Sequence, residues 1–581
     1  MKRHLFITMM MVMLASIAMH AYDFEVDGMY YDVNGDEATV TSGDNKYTGD
    51  VIIPETVTNE GTTYTVTAIG DYAFSSCRSM TSISIPNTVT SIGQWAFSEC
   101  YSLQTVALPS SLTSLSFYTF CYCSSLEQIT IPNSVIEICT GAFKSCSSLT
   151  DISIPSSVTT IGGSVFESCG SLTSISIPST VMTIGKGVFS GCSRLSQITV
   201  DGDNPYYDSR NNCNAIIETA SNTLLAGCYN TVIPDGIVTI DMKAFYACHN
   251  LASIAIPNSV TSINGYAFYN CDALTNLTFG NSVTTIGTNA FYNCDGLTDV
   301  VIPNSVTTIE GEAFHGCSAL RSVTIGNSLT TLGRNIFKSC DALKTLNFNA
   351  VSCADFSATA ADNPFNGLKL TTINVGNDVE RIPAYFASGL TALTTVSIGN
   401  SVVAFGEHAF MNCPALTSIS IASGNPVYDS RNNCNAVIET ATNTLVLGFD
   451  ISTIPNSVTA IGDYAFQRCT GLTSISIPGS VTTIGSYAFD NCTGLTGLTL
   501  PNSVTTIGDY AFNCCNNLPN MAIPNSVTSI GEYAFRCCYQ FTEMVIPNSV
   551  TAISNGLFNQ CSGLVSATLP NTITEIGEEA F

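Results

Sequence analysis

Leu472-Thr473-Ser474-Ile475-Ser476-Ile477-Pro478-Gly479-Ser480-Val481-Thr482-Thr483-Ile484-Gly485-Ser486-Tyr487-Ala488-Phe489-Asp490-Asn491-Cys492 is one copy of a pattern that fills most of this 581-residue chain. Ile475 and Ile477 alternate with Ser474 and Ser476, the period-two signature of a short strand with one buried face. Pro478 removes a backbone donor and ends that strand. Val481, Ile484, Gly485, Ala488, Phe489 and Cys492 follow at mixed spacing, which predicts an arc, a turn at Gly485 and one short helical turn. One copy is therefore one coil.

The pattern L-T-S-I-S-I-P-x-S-V-T-x-I-G-x-x-A-F-x-x-C recurs with a fixed 23-residue period. Phe74, Phe97, Phe120, Phe143, Phe166 and Phe189 keep that interval, as do Phe245 to Phe337 and Phe466 to Phe581. A chain this long outgrows a single globular core, and a fixed short period means growth along one axis. A lone coil cannot bury its Leu, Ile, Val and Phe, so each must stack on its neighbours, strand beside strand. The expected fold is an α/β solenoid of about twenty coils carrying a parallel β ladder.

These residues resemble the leucine-rich repeats of the BspA-like surface proteins, the Treponema-type repeat, over residues 65–581. The resemblance implies a leucine-rich repeat solenoid of bacterial origin, and a family concerned with attachment to host matrix proteins and to other cells.

The period breaks in three places. From Phe189 to Phe245 and from Phe410 to Phe466 the interval more than doubles, and the two insertions responsible, near 200–233 and 421–454, are near copies of each other. Asn204-Pro205-Tyr206-Tyr207-Asp208-Ser209-Arg210-Asn211-Asn212-Cys213 matches Asn425-Pro426-Val427-Tyr428-Asp429-Ser430-Arg431-Asn432-Asn433-Cys434. Each continues into an apolar run after Asn222 or Asn443, which predicts a hairpin. The third break, 351–386, contains Asn363-Pro364-Phe365 and has no Cys three residues after Phe386; a distorted coil is expected there.

Residues 22–64 alternate in strand fashion around Asn34-Gly35, as an N-terminal β cap would. Residues 1–21 read as a secretory signal peptide: Lys2 and Arg3, an apolar run Leu5–Ala18, and small residues at Ser16, Ala18 and Ala21. About 14 apolar residues are too few to span a bilayer core of roughly 30 Å. The other end stops at Phe581 in mid-coil, so the sequence is expected to be a fragment of something longer.

With 18 Lys plus Arg against 44 Asp plus Glu, the net charge is −26, which excludes the basic footprint that nucleic acid requires and suits anionic membranes poorly. Catalysis is not expected: His4, His20, His249, His315 and His408 are scattered, and no Ser-His-Asp or Cys-His arrangement is visible. No metal or cofactor is expected either. Asp201 and Asp203 have Ala422 and Gly424 as duplicates and read as Asx turns rather than calcium ligands. Of 25 cysteines, seventeen lie three residues after a repeat Phe and read as buried small hydrophobes. Cys514 with Cys515, and Cys537 with Cys538, stand as disulfide candidates.

Binding residues are sought on two surfaces. Two residues before the repeat Phe stand Tyr72, Trp95 and Tyr118, and later Tyr464, Tyr487, Tyr510 and Tyr533. Projecting outward, such rings stack on sugars or anchor a protein partner; turned inward along the arc, they pack on one another. The strand face, lined by hydroxyls such as Ser82, Ser84, Ser174, Ser176, Ser474 and Ser476, offers weak bonds multiplied along the array. The expected function is that of a secreted or cell-surface binding protein, adhering to host proteins, glycans or other cells through its repeats. The alternative is a passive surface coat without a specific ligand.

Overall fold

The computed structural model describes residues 22–359 and 362–581, so the signal-peptide reading lies outside the described residues. The chain divides into two compact units, the first ending at Gly296 and the second running from Leu297 to Phe581. Each is a parallel β solenoid, and the described residues make about 22 turns in all.

The coils build two ladders, one more than the alternation announces. The first is the S-I-S-I strand: Ser174–Ile177 pairs in parallel with Gln197–Val200, every residue facing its equivalent one period on. The second is the two-residue T-x-I segment: Ser114–Leu115, Glu137–Ile138, Thr160–Ile161 and Thr183–Ile184 pair in sequence, again one period apart. Between 107 and 174 only this second ladder is formed. In the second unit the first ladder reaches six strands, from Asp299–Val301 to Ser418–Ile421.

The α/β expectation needs correction, because the arc carries no α-helix among the described residues. In each coil a left-handed residue stands on either side of Ala-Phe: Tyr487 has φ 56° and Asn491 φ 58°. The run of right-handed residues between them is too short for a helical turn to propagate. Instead the backbone bonds to the next coil: Tyr487 N–H donates to Asp509 O at 2.8 Å, Phe489 to Ala511 O at 2.7 Å and Asn491 to Asn513 O at 2.8 Å. The only helical segments described are single 3-10 turns at Arg210–Asn212 and Arg431–Asn433.

Inside the coils the repeat Phe rings form face-to-face columns, fully buried, with centroids 5.1–5.8 Å apart from Phe97 to Phe189 and from Phe466 to Phe558. Beside them the ladder cysteines are free thiols, and in most coils Sγ–H donates to the carbonyl of the Phe one coil back, as Cys100 does to Phe74 O and Cys492 to Phe466 O, both at 3.1 Å. The vicinal pairs are not disulfides: Cys515 and Cys538 turn inward to Phe489 O and Phe512 O. Cys537 turns the other way, to Gln560 Oε1, and Cys514 faces it from the preceding coil.

The N-terminal cap comprises β1 (Phe24–Val26), β2 (Met29–Asn34), β3 (Glu37–Thr41), β4 (Gly49–Ile52), β5 (Thr56–Asn59) and β6 (Thr62–Ile69), in the order β1-β2-β3-β6-β5. β6 passes into the second ladder at Ser91–Ile92, and β4 starts the first ladder against Met80–Ser84. Tyr47 closes the Phe column, its ring 4.7 Å from Phe74.

Each insertion is a hairpin folded into the second ladder. Ala215–Glu218 and Thr223–Gly227 pair antiparallel, then Thr223–Gly227 joins Thr239–Ile240 in parallel. Asn204 holds its start: Nδ2 donates to Pro178 O at 2.9 Å and Val181 O at 3.0 Å, and Oδ1 accepts the N–H of Tyr206 and Tyr207, each at 2.9 Å. Asn425 repeats the arrangement with Gly399, Val402, Val427 and Tyr428. Asp201 Oδ1 accepts the Asp203 N–H at 3.0 Å, an Asx turn.

The irregular segment is a lengthened coil, Thr345–Phe348 pairing with Thr372–Val375. Its successor takes Ala387 and Leu390, rather than Phe386 and Gly389, in the places of the repeat Phe and Cys: Ala387 N–H donates to Ala409 O at 2.6 Å, and Cys413 Sγ to Ala387 O at 3.2 Å. The volume lost at Ala387 is refilled by Phe348, Phe356 and Phe365 around Phe386, at 4.7–5.8 Å.

Candidate functional site

The residue two before the repeat Phe is left-handed in coil after coil, with φ 58° at Tyr72, 57° at Trp95, 55° at Tyr118, and 59°, 56°, 54° and 54° at Tyr464, Tyr487, Tyr510 and Tyr533. That conformation is uncommon for bulky residues and is held here by the coil-to-coil backbone bonds. It turns the side chain out of the arc. Since every coil is locked to the next, the rings arrive at the coil spacing and stack: Tyr464–Tyr487 5.0 Å, Tyr487–Tyr510 4.7 Å and Tyr510–Tyr533 4.9 Å. In the first unit Trp95 lies 4.2 Å from Tyr118 and, parallel, 6.3 Å from Tyr72.

Each stack ends on a glycine. Tyr118 lies over Gly141 and Tyr533 over Gly556, the next residues at the same repeat position; a Cβ there would come 2.3 Å and 2.1 Å from the ring. The ring faces are thus taken by neighbours, and a partner meets edges and hydroxyls. Exposure is greatest at the other ends, 49% at Tyr72 and 39% at Tyr464.

Two extensions escaped the sequence reading. His408 and Tyr385 hold the stripe position across the second insertion, with His408 5.5 Å from Tyr464 and 5.3 Å from Tyr385. The stripe of the second unit therefore runs Tyr385, His408, Tyr464, Tyr487, Tyr510, Tyr533. In the first unit Tyr246, Tyr269 and Tyr292, one residue after the repeat Phe, form another stack at 4.8 and 4.7 Å. The signal, Phe-Tyr in three successive coils, was present in the sequence; His408 was hidden by the lengthened interval between Phe410 and Phe466.

The stripe has an acidic flank. Asp463 Oδ1 accepts the Ser486 N–H at 2.7 Å and Asp509 Oδ1 the Glu532 N–H at 2.8 Å, which fixes carboxylates beside the rings in alternate coils. Burial in the stack, then the charges of Glu407, Asp463 and Asp490, hold the Tyr464 phenol above its ordinary value; burial and neighbouring phenols do so at Tyr487 and Tyr510. All three remain hydrogen-bond donors at neutral pH.

The strand face is the second surface. In and beside the break in the first ladder it has hollows, lined by Gln128, Thr130, Asp151, Ser153, Ser174 and Gln197 among others. No helix of the described residues is long and apolar enough to cross a membrane.

The arrangement at hand is a stack of 23-residue coils with Ile, Val, Phe and Cys at fixed internal positions, and it matches the BspA type leucine-rich repeat region over residues 62–210, 225–344, 342–436 and 459–581. The chain belongs to the BspA-type leucine-rich repeat family. Among solved structures, this BspA-type chain is similar to a leucine-rich cell surface protein of Faecalibacterium prausnitzii, with 31% identity over 59% of this chain and 98% of that one, TM-score 0.47. A leucine-rich repeat protein of Bacteroides ovatus shares 25% identity over 84% and 94% of the two chains, TM-score 0.38. The pneumococcal vaccine antigen PcpA shares 19% over 69% and 94%, TM-score 0.44. No curated protein matches the chain.

Proposed function

We propose that this BspA-type chain is a secreted or cell-surface, non-enzymatic binding protein that attaches to host proteins, glycans or other cells through its repeat surface. The observation that carries the reading is the stripe Tyr385–Tyr533 with its acidic flank. It is a long, partly exposed row of aromatic edges and phenol donors on a rigid backbone, and a coil stack needs no such row for its own core. Aromatic residues lose little conformational freedom on binding and concentrate interface energy. Because the ring faces are already paired, a protein partner is better served than a sugar, whose stacking would be confined to the ends of each row. The export reading of residues 1–21 agrees with a surface that works outside the cell.

The test is binding of the purified chain to immobilised matrix proteins and glycans, beside a variant with Tyr464, Tyr487, Tyr510 and Tyr533 all changed to Ser. Saturable binding that falls at least about ten-fold in the variant, a loss of ~1.4 kcal/mol, is expected, with the circular dichroism unchanged. Wild-type and variant curves that coincide, or a wild type that binds no panel member, would overturn it.

A further inference from the structure

The two insertions are near copies, yet they close differently. In the first, the coil before the hairpin is tied directly to the coil after it: Gly191 N–H donates to Tyr246 O at 2.7 Å, and Asn250 Nδ2 to Ser193 O at 2.9 Å. In the second copy Gly191, Tyr246, Asn250 and Ser193 are replaced by Asn412, Gln467, Gly471 and Pro414. Gly471 has no side chain to donate, and among the described residues no hydrogen bond joins Asn412 to Gln467. A cavity of about 320 Å³ opens between these coils, walled by Phe405, His408, Phe410, Phe449 and Tyr464.

Two oxygens of cavity-lining residues, Asp450 Oδ1 and Gln467 Oε1, are buried with no hydrogen-bond partner. Gln467 is held in place by its other end, Nε2 donating to Asp490 Oδ2 at 3.0 Å, so the amide cannot turn over without losing that bond. Both orphans are acceptors, and a buried acceptor left unpaired is destabilising. The lining also holds Glu407 and Asp463, with Arg468 its one permanent cation. The first insertion has Lys186, Tyr229, Met242 and Ala247 in the places of Glu407, Asp450, Asp463 and Arg468, and Lys243 in that of Tyr464. One backbone therefore carries a basic rim in one copy and an acidic, aromatic cavity in the other.

We propose that this cavity receives a primary ammonium on an aliphatic arm, the lysine side chain of a partner protein, with Asp450 as its counter-ion. The ammonium brings three donors and no acceptor, which matches the two orphaned oxygens, Asp450 Oδ1 and Gln467 Oε1. The aromatic walls take the methylene stem. Burial pushes the Asp450 carboxyl above its ordinary value, against the backbone amides of Gly471 and Leu472 that lower it; an arriving cation relieves that burial cost. The proposal rests on the reading of the second unit as a protein-binding surface and names the chemistry of its partner. Since His408 and Tyr464 belong to both stripe and cavity, a lysine seated here leaves the partner's chain lying along the stripe.

The experiment is calorimetric titration of the full chain with Nα-acetyl-lysine methylamide, with its Nε-acetylated form, and with glucose. Saturable binding of the first is expected, at least about ten-fold weaker for the second and undetectable for glucose at the same concentration. Asp450→Asn, which keeps shape and removes charge, is expected to weaken the lysine probe at least ten-fold. If that variant fails to fold, Glu407→Gln on the exposed rim replaces it, with about a three-fold loss expected. No heat with the lysine probe, equal binding of the acetylated probe or glucose, or an unaffected variant would overturn the proposal. Matrix binding that survives such a result leaves the stripe standing and removes the pocket alone; lysine binding without matrix binding does the reverse.

Discussion

Phe97→Ala tests whether the column of rings, rather than the β ladders, holds adjacent coils together. Phe97 is fully buried, 5.2 Å from Phe74 and 5.1 Å from Phe120, and so belongs to two coil interfaces at once. A buried phenylalanine removes roughly 150 Å² or more from water, about 4 kcal/mol at ~25 cal/mol per Å². Measured Phe→Ala losses of about 3–5 kcal/mol agree, the cavity term included. In a stack where each coil touches only its neighbours, no distant contact makes up the loss. The assay is urea unfolding followed through Trp95, the only tryptophan of the chain, two residues away and 4.2 Å from Tyr118. The expected result is a transition moved to lower urea by the equivalent of about 3–5 kcal/mol. Phe97→Leu, which keeps most of the volume without the two stacked faces, is expected to lose about 1–1.5 kcal/mol. A loss below about 1 kcal/mol for the alanine variant would show that the backbone bonds alone hold the coils, and would refute the reasoning.

Further outcomes follow from the thiols and the asparagines. Burial holds the folded thiols protonated, up to about 11 at Cys121, Cys139 and Cys561 and about 12 at Cys248 and Cys413, whereas unfolded cysteine ionises near 8.5. Above about pH 8.5 the unfolded chain binds fewer protons than the folded one, so stability present below that pH is lost towards pH 11–12, at about 1.4 kcal/mol per pH unit for each thiol. The urea midpoint at pH 10 is expected well below that at pH 7.5; equal midpoints would contradict it. Asn204→Ala strips two carbonyls and two amides of their partners at the base of the first hairpin, with an expected loss of about 3 kcal/mol in the same assay. Asn204→Asp, which keeps both amide bonds, is expected to lose less, and equal losses would reverse that ranking.

The period, the buried face of the S-I-S-I strand, the Phe column and the inward cysteines were determined by the sequence alone. Side-chain alternation and a fixed 23-residue interval are local facts that every coil repeats, and a coil that cannot bury its own apolar face has one way to do so. The hairpin insertions were equally legible, from turn residues flanked by apolar runs. What tertiary structure decided lies wherever position depends on a neighbouring coil. The short T-x-I segments became a second ladder because the coil before and the coil after each lay within bonding distance, and left-handed residues around Ala-Phe replaced a helical turn for the same reason. Ala387 took the place of a phenylalanine because three rings from a longer coil refilled its volume. His408 joined the stripe across the whole second insertion, and the acidic cavity opened where Gly471 and Pro414 stand in place of Asn250 and Ser193. Stacking brings residues together by coil rather than by sequence, and a single absent clamp is visible only once the two coils face each other.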